Sequence, residues 1–149
     1  MGHIYYKIWI HLIWSTKNRY PFLTNGIRYK IFNHILENAK EKGFFIDMIN
    51  GYSDHCHVLI SLNPKYAISE VVNNFKGEAS HWINSEKLTT THFAWQEGYS
   101  AFSVSESQVE KVRNYIKRQE EHHKKQSFVD ELIKLLELHN IEFDDKYLL

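Results

Sequence analysis

Gly51-Tyr52-Ser53-Asp54-His55-Cys56-His57-Val58-Leu59-Ile60-Ser61-Leu62 is the stretch on which the fold turns. Its first four residues are turn chemistry, and from His55 onward the run is apolar and strand-like. Phe44 to Asn50, just ahead of the turn, is a second strand candidate, so the two segments read as a hairpin. Successive side chains of a strand point to opposite faces, which sends His55 and His57 one way and Cys56 the other. Two neutral imidazoles side by side make half of a divalent-metal site. In a chain with 10 histidines such a pair is ordinary by itself. Burial inside an apolar strand strengthens it, because the ring nitrogens then need partners.

Outward from the hairpin, Tyr5 to Ser15 reads as a first strand, with Tyr6, Ile8, Ile10, Leu12 and Trp14 on one face. Thr16 to Pro21 is a loop. Thr24 to Lys42 has helical spacing at Ile27, Ile31, Ile35, Leu36 and Ala39, with Gly43 placed to end it. Beyond the break at Pro64, Ile68 to Leu88 is a second helix, Thr89 to His92 a loop, and Tyr99 to Val104 a strand. A helix over 105–123 follows, with Ser105 as its N-cap, and then one over 127–139, with Ser127 and Asp130 as a loose capping box. The order β-α-β-β-α-β-α-α predicts an α+β, ferredoxin-like split β-α-β antiparallel sheet with helices packed on it. With 2 prolines, 6 glycines and no repeat or linker, residues 1–149 read as a single domain.

Composition sets bounds on function. Apolar residues make up 43% of the 149 and aromatic residues 15%, as in a packed globular protein. The formal net charge is +0, so any nucleic-acid-binding patch must be local. The one cysteine, Cys56, excludes an intrachain disulfide and fits a reducing compartment. Flanking histidines suggest a nucleophilic thiol, but alternation turns both away from it, leaving a small buried hydrophobe. Met1 to Lys7 lacks the pattern of a signal peptide, and no apolar run approaches the ~20 residues of a bilayer span. The expected setting is cytoplasmic.

Tyr115 and Gln119 stand four residues apart, on one face of a helix. A tyrosine there can simply bury its ring. The surrounding Lys111, Arg113, Lys117, Arg118, Lys124 and Lys125 suit a phosphate-rich partner, and Gln119 offers a hard amide oxygen to add to two histidines. His55-Cys56-His57 followed by Tyr115-x-x-x-Gln119 resembles the single-tyrosine HUH transposases of small bacterial insertion sequences and their REP-associated relatives. The likeness extends to His11-Leu12-Ile13-Trp14-Ser15-Thr16-Lys17, Phe75-Lys76-Gly77 and Trp95-Gln96-x-Gly98-Tyr99, nearly the whole chain. Cys56 is smaller than the usual aliphatic residue between the histidines.

The resemblance implies the HUH endonuclease fold. It implies that His55, His57 and Gln119 hold one divalent ion, Mg2+ or Mn2+. Tyr115 would attack single-stranded DNA at hairpin-marked ends, leaving a 5′-phosphotyrosine link and a free 3′-hydroxyl for rejoining. It also implies a homodimer with sites shared between subunits, a use for the apolar tail residues Phe143, Tyr147, Leu148 and Leu149. Candidate DNA contacts are Lys17, Arg19, Lys76, Trp95, Lys111 and Arg118, with Trp95 and Tyr99 able either to stack on bases or to fill the core. His122 and His123 read as solvated or as helix-dipole partners, and His11 has no assigned role. A rolling-circle initiator or relaxase fits this short chain less well. A non-catalytic hairpin-DNA-binding dimer sits poorly with all four catalytic candidates being present. A metal-dependent hydrolase lacks a carboxylate base, since Asp54 alternates away from His55.

Overall fold

The computed structural model describes residues 2–148; Met1 and Leu149, which opened and closed segments quoted above, lie outside the described residues. Strand β1 (Trp9–Ser15), helix α1 (Asn25–Glu41), β2 (Phe45–Gly51), β3 (His55–Ser61), α2 (Ile68–Ser85) and β4 (Ser100–Val104) follow one another in the expected order. Helices α3 (Val109–Lys117), α4 (Gln119–His122) and α5 (Phe128–Leu138) come after them. The four strands form one antiparallel sheet in the order β2-β3-β1-β4, the split β-α-β topology.

Alternation divides the sheet into two chemically different faces. Ile10, Leu12 and Trp14 of β1 and Cys56, Val58 and Ile60 of β3 meet Ile31, Phe32 and Ile35 of α1 and Val72, Phe75 and Ala79 of α2 in the main core. Trp9, His11, Ile13, His55, His57 and Leu59 occupy the other face, under α3 and α5. Two smaller apolar clusters hold those helices down. One joins Trp9, Leu59, Val109 and Ile116, the other Ile13, Phe102, Phe128, Leu132 and Leu136. Cys56 is completely buried on the α1–α2 side, as alternation predicts.

The hairpin is set by Gly51. A Cβ built there would lie 2.2 Å from the His55 carbonyl oxygen, so only glycine lets β3 start where it does. The resulting register places His57 between Ile13 of β1 and Asn50 of β2.

Two elements depart most from their sequence-based limits. Strand β1 begins at Trp9, not Tyr5, because its neighbours run out there: Trp9 pairs with Ser61 of β3 and Val104 of β4. Tyr5 and Tyr6 are exposed. Ser105 caps no helix by its side chain, and a 3-10 turn, Glu106–Gln108, precedes α3. The single helix expected over 105–123 is also broken at Arg118, whose φ and ψ are −96° and 22°. There the Asn50 amide donates to the carbonyls of Ile116 (3.0 Å) and Lys117 (3.2 Å), taking acceptors a continuous helix would use. By contrast, Ser127 accepts from the Asp130 amide at the start of α5, the N-cap half of the expected capping box. In the tail, Leu148 is buried against α5 while Tyr147 is 77% exposed. Among the described residues no helix is long and apolar enough to cross a membrane.

Candidate active site

The helix-covered polar patch on the second face of the sheet is built around β3. His55 and His57 are fully buried, side by side, with ring centroids 5.1 Å apart. Each has its outer nitrogen engaged. His55 Nδ1 donates to Asp54 Oδ1 at 2.9 Å, and His57 Nδ1 pairs with His11 Nε2 at 2.8 Å. Both Nε2 atoms therefore turn inward, the arrangement that outer partners impose on ligand histidines.

α3 brings the tyrosine. It is tied to β2 by Arg113, which forms a bidentate pair with Asp47 at 2.6 and 2.8 Å, and by the Asn50 amide at its C-terminal end. Asp47 sits at the register shift of β2, where the bulge aims it at α3. Tyr115 lies with its ring centroid 5.8 Å from that of His57. Past the break, Gln119 is fully buried, with Oε1 3.0 Å from His55 Nε2. Tyr115 and Gln119 converge as expected, although from two helices rather than one.

Two further residues complete the cluster. Glu131 of α5 is 1% exposed, and its Oε1 lies 3.0 Å from His57 Nε2 and 3.4 Å from His55 Nε2. Its Oε2 accepts from the Tyr115 hydroxyl and, at 3.1 Å, from Gln119 Nε2. His123, just past α4, donates from Nδ1 to the Gln126 carbonyl at 2.8 Å, and its Nε2 is 2.9 Å from Gln119 Oε1 and 3.2 Å from Glu131 Oε1. One ligand atom each from His55, His57, His123 and Glu131 lies within 4.8 Å of the others. The donor set and the fixed outer nitrogens fit a divalent ion.

Glu131 was missed by sequence reasoning, and its signal was available. It stands among Phe128, Leu132 and Leu136 on the apolar face of α5, where an unpaired carboxylate is rare. His123 is corrected too: its side chain is 3% exposed, so it is not solvated. Asp54, set aside as facing away from His55, reaches its Nδ1 from the turn, where strand alternation does not hold. His11, left without a role, is buried beside His57.

Electrostatics reflect this crowding. For Glu131, burial opposes the charge, but His57, His123 and His55 outweigh it and hold the carboxyl far below its usual range. His55 is raised to about 9: burial works against the charged ring, and Asp54 and Glu131 overcome it. His57 falls to about 4 and His11 to about 3, both chiefly by burial. Burial, then the Glu131 charge, push the Tyr115 phenol well above its ordinary value, so it rests neutral and donating.

Other candidates distribute unevenly. Lys111 and Arg118 are exposed on and just past α3, and Lys17 is exposed in the 3-10 turn Lys17–Arg19, where Arg19 is half-buried. Lys76 spends its ammonium on the carbonyls of Gln96 and Gly98, each at 2.8 Å, fixing the approach to β4. Trp95 corrects the base-stacking expectation. It packs edge-on against Trp14 and Phe93 in the core, and its indole N–H donates to the Lys76 carbonyl. A cavity of about 540 Å3 reaches the Tyr115 side, lined in part by His11, Phe102, Lys111 and Leu135.

The profile of the family described as "Transposase IS200 like" matches residues 4–119. The chain belongs to the IS200-like transposase family. This transposase is 26% identical over 124 residues to the ISDra2 transposase TnpA of Deinococcus radiodurans, an alignment covering 79% of the chain and 87% of that protein. A crystal structure of a transposase candidate from D. radiodurans R1 superposes with a TM-score of 0.62 at 25% identity, covering 80% of this transposase and 96% of that chain. A REP-associated tyrosine transposase bound to a REP hairpin also scores 0.62, at 16% identity, covering 83% and 73% of the two chains; this likeness is one of fold. The fold of the transposase is thus the HUH fold expected from its motifs.

Proposed function

We propose that the protein cleaves and rejoins single-stranded DNA at hairpin-marked ends, with Tyr115 as nucleophile and a divalent ion held by His55, His57 and Gln119. One observation carries this reading: a phenol from α3 and the imidazole pair from β3 share a single buried carboxylate, Glu131. Nothing in core packing asks for a tyrosine hydroxyl, two imidazoles and a primary amide to meet in one buried spot.

In the proposed reaction the Tyr115 oxygen forms a bond to the scissile phosphorus and the bond to the 3′-oxygen breaks. The phenolic proton departs and a 3′-hydroxyl is released, with the 5′-phosphate left on the tyrosine. Attack by another 3′-hydroxyl reverses these bonds and rejoins a strand, so no nucleotide cofactor is needed. When bound, the ion supplies charge stabilisation at the phosphate, the usual Lewis-acid service. His11 and Asp54 keep the two imidazoles oriented; Gln119 and Glu131 hold the phenol and its surroundings in place. Lys111 and Arg118, and Lys17 and Arg19 in the turn after β1, supply positive charge for a single strand. A second copy of the chain sharing the site belongs to the same proposal.

The test is a covalent adduct. End-labelled single-stranded hairpin DNA incubated with the protein and Mn2+ or Mg2+ is expected to migrate with the chain on denaturing gels. Tyr115→Phe should abolish that band while leaving the fold intact by circular dichroism. Persistence of the adduct in Tyr115→Phe, or preferential cleavage of duplex DNA, would overturn the reading.

A further inference from the structure

Two imidazoles of the cluster carry oxygen acceptors on both sides. His123 must donate from Nδ1, because its partner there is the Gln126 carbonyl, which can only accept. Its Nε2 then faces Gln119 Oε1 at 2.9 Å and Glu131 Oε1 at 3.2 Å. His55 repeats the pattern, with Asp54 Oδ1 on Nδ1 and Gln119 Oε1 and Glu131 Oε1 around Nε2. A neutral ring has one N–H, so each inward nitrogen of such a ring aims a lone pair at oxygens. Oxygens on both sides of a buried ring call for positive charge among these atoms, either as a second ring proton or as a cation that takes that proton's place. Turning the Gln119 amide does not relieve this, since its Nε2 is already committed to Glu131 Oε2 at 3.1 Å.

We propose that His123 and Glu131 join His55 and His57 as direct ligands, making a centre of three imidazoles and one carboxylate drawn from β3, the end of α4, and α5. This presupposes the divalent ion proposed above at the histidine pair, and it puts His123 and Glu131 in the ligand place given there to Gln119. Both added residues lie past residue 119, where the match to the family profile ends. They are a feature of this chain's C-terminal helices. Three nitrogens and one oxygen suit a borderline ion such as Mn2+, Co2+ or Zn2+ better than Mg2+, which prefers oxygen. The two Glu131 oxygens divide the work: Oε1 faces the imidazoles and Oε2 the Tyr115 hydroxyl, so one carboxylate links ion and nucleophile.

Pulsed EPR on the full chain loaded with Mn2+ counts coordinated imidazole nitrogens without any substitution; three are expected, and two would overturn the proposal. Competition of Co2+ and Mg2+ against a chromophoric chelator gives affinities for the wild type, His123→Ala, Glu131→Gln and His57→Ala. His123→Ala and Glu131→Gln should each weaken Co2+ binding by about tenfold or more, and the wild type should prefer Co2+ to Mg2+. Unchanged affinity in both variants, with loss only in His57→Ala, would return the centre to the histidine pair and refute the wider set. If the wild type takes up no ion, the underlying reading of the pair fails with it. Melting curves accompany each variant, and the EPR count decides for any that does not fold.

Discussion

At the level of single residues, Cys56 and Glu131 mark the two ends of what the sequence makes legible. Alternation alone places Cys56 on the core side, and burial pushes its thiol well above the usual value. Iodoacetamide at pH 8 should therefore leave the native thiol unmodified and label it promptly in urea, as read by mass spectrometry. Native labelling at the rate of the unfolded chain would mean the register of β3 is wrong. His55 and His57 are legible for a comparable reason, since their spacing on one strand fixes their relative direction, whereas Tyr115 and Gln119 converge across a break in the helix that carries them. Glu131 and His123 are not legible, because their place depends on how α5 and the end of α4 lie across the sheet. No local period encodes that; only an acid on an apolar stripe hints at it. Trp95 illustrates the opposite error, in which an aromatic beside a basic segment is as well explained by packing, and here packing has it.

Among elements, order and type follow from periodicity, whereas ends and breaks follow from contacts. The limits of β1 are set by where β3 and β4 stop, and the break at Arg118 is set by an amide on β2. Neither cause lies within the element it shapes. Asn50 is thus a hinge pin for the tyrosine helix. Asn50→Ala removes two hydrogen bonds to carbonyls at the end of α3 and should cost about 1–2 kcal/mol in urea unfolding. Its larger expected effect is on adduct formation, since α3 would then be free to run straight through Arg118 and swing Gln119 away from His55. An Asn50→Ala protein that is destabilised but forms adduct at the wild-type rate would deny the break any part in positioning.

For the molecule as a whole, the buried histidines make stability depend on pH in two opposite windows. His57 and His11 have folded values of about 4 and about 3, below the ordinary 6.5, so they stay neutral while the unfolded chain gains protons. Their contribution is present above pH 6.5 and is lost as pH falls toward 4 and 3. His55 has a folded value of about 9, so its contribution is complete below 6.5 and is lost as pH rises through 9. Urea midpoints of the ion-free protein should accordingly peak near pH 6.5 and decline on both sides. A His55→Gln variant should lose the alkaline decline and keep the acid one, and an unchanged alkaline limb would place that proton elsewhere.

The sheet also works as a partition wall. The α1–α2 layer meets only its dry side, while everything with chemistry to perform stands on the other. Accumulated change among Ile31, Ile35, Val72 or Phe75 can therefore lower the melting temperature while leaving the wet room's furniture in place. The stretch His55-Cys56-His57 has no such latitude, because it is plastered into both rooms at once, and slipping it by one position would swap a thiol for two imidazoles.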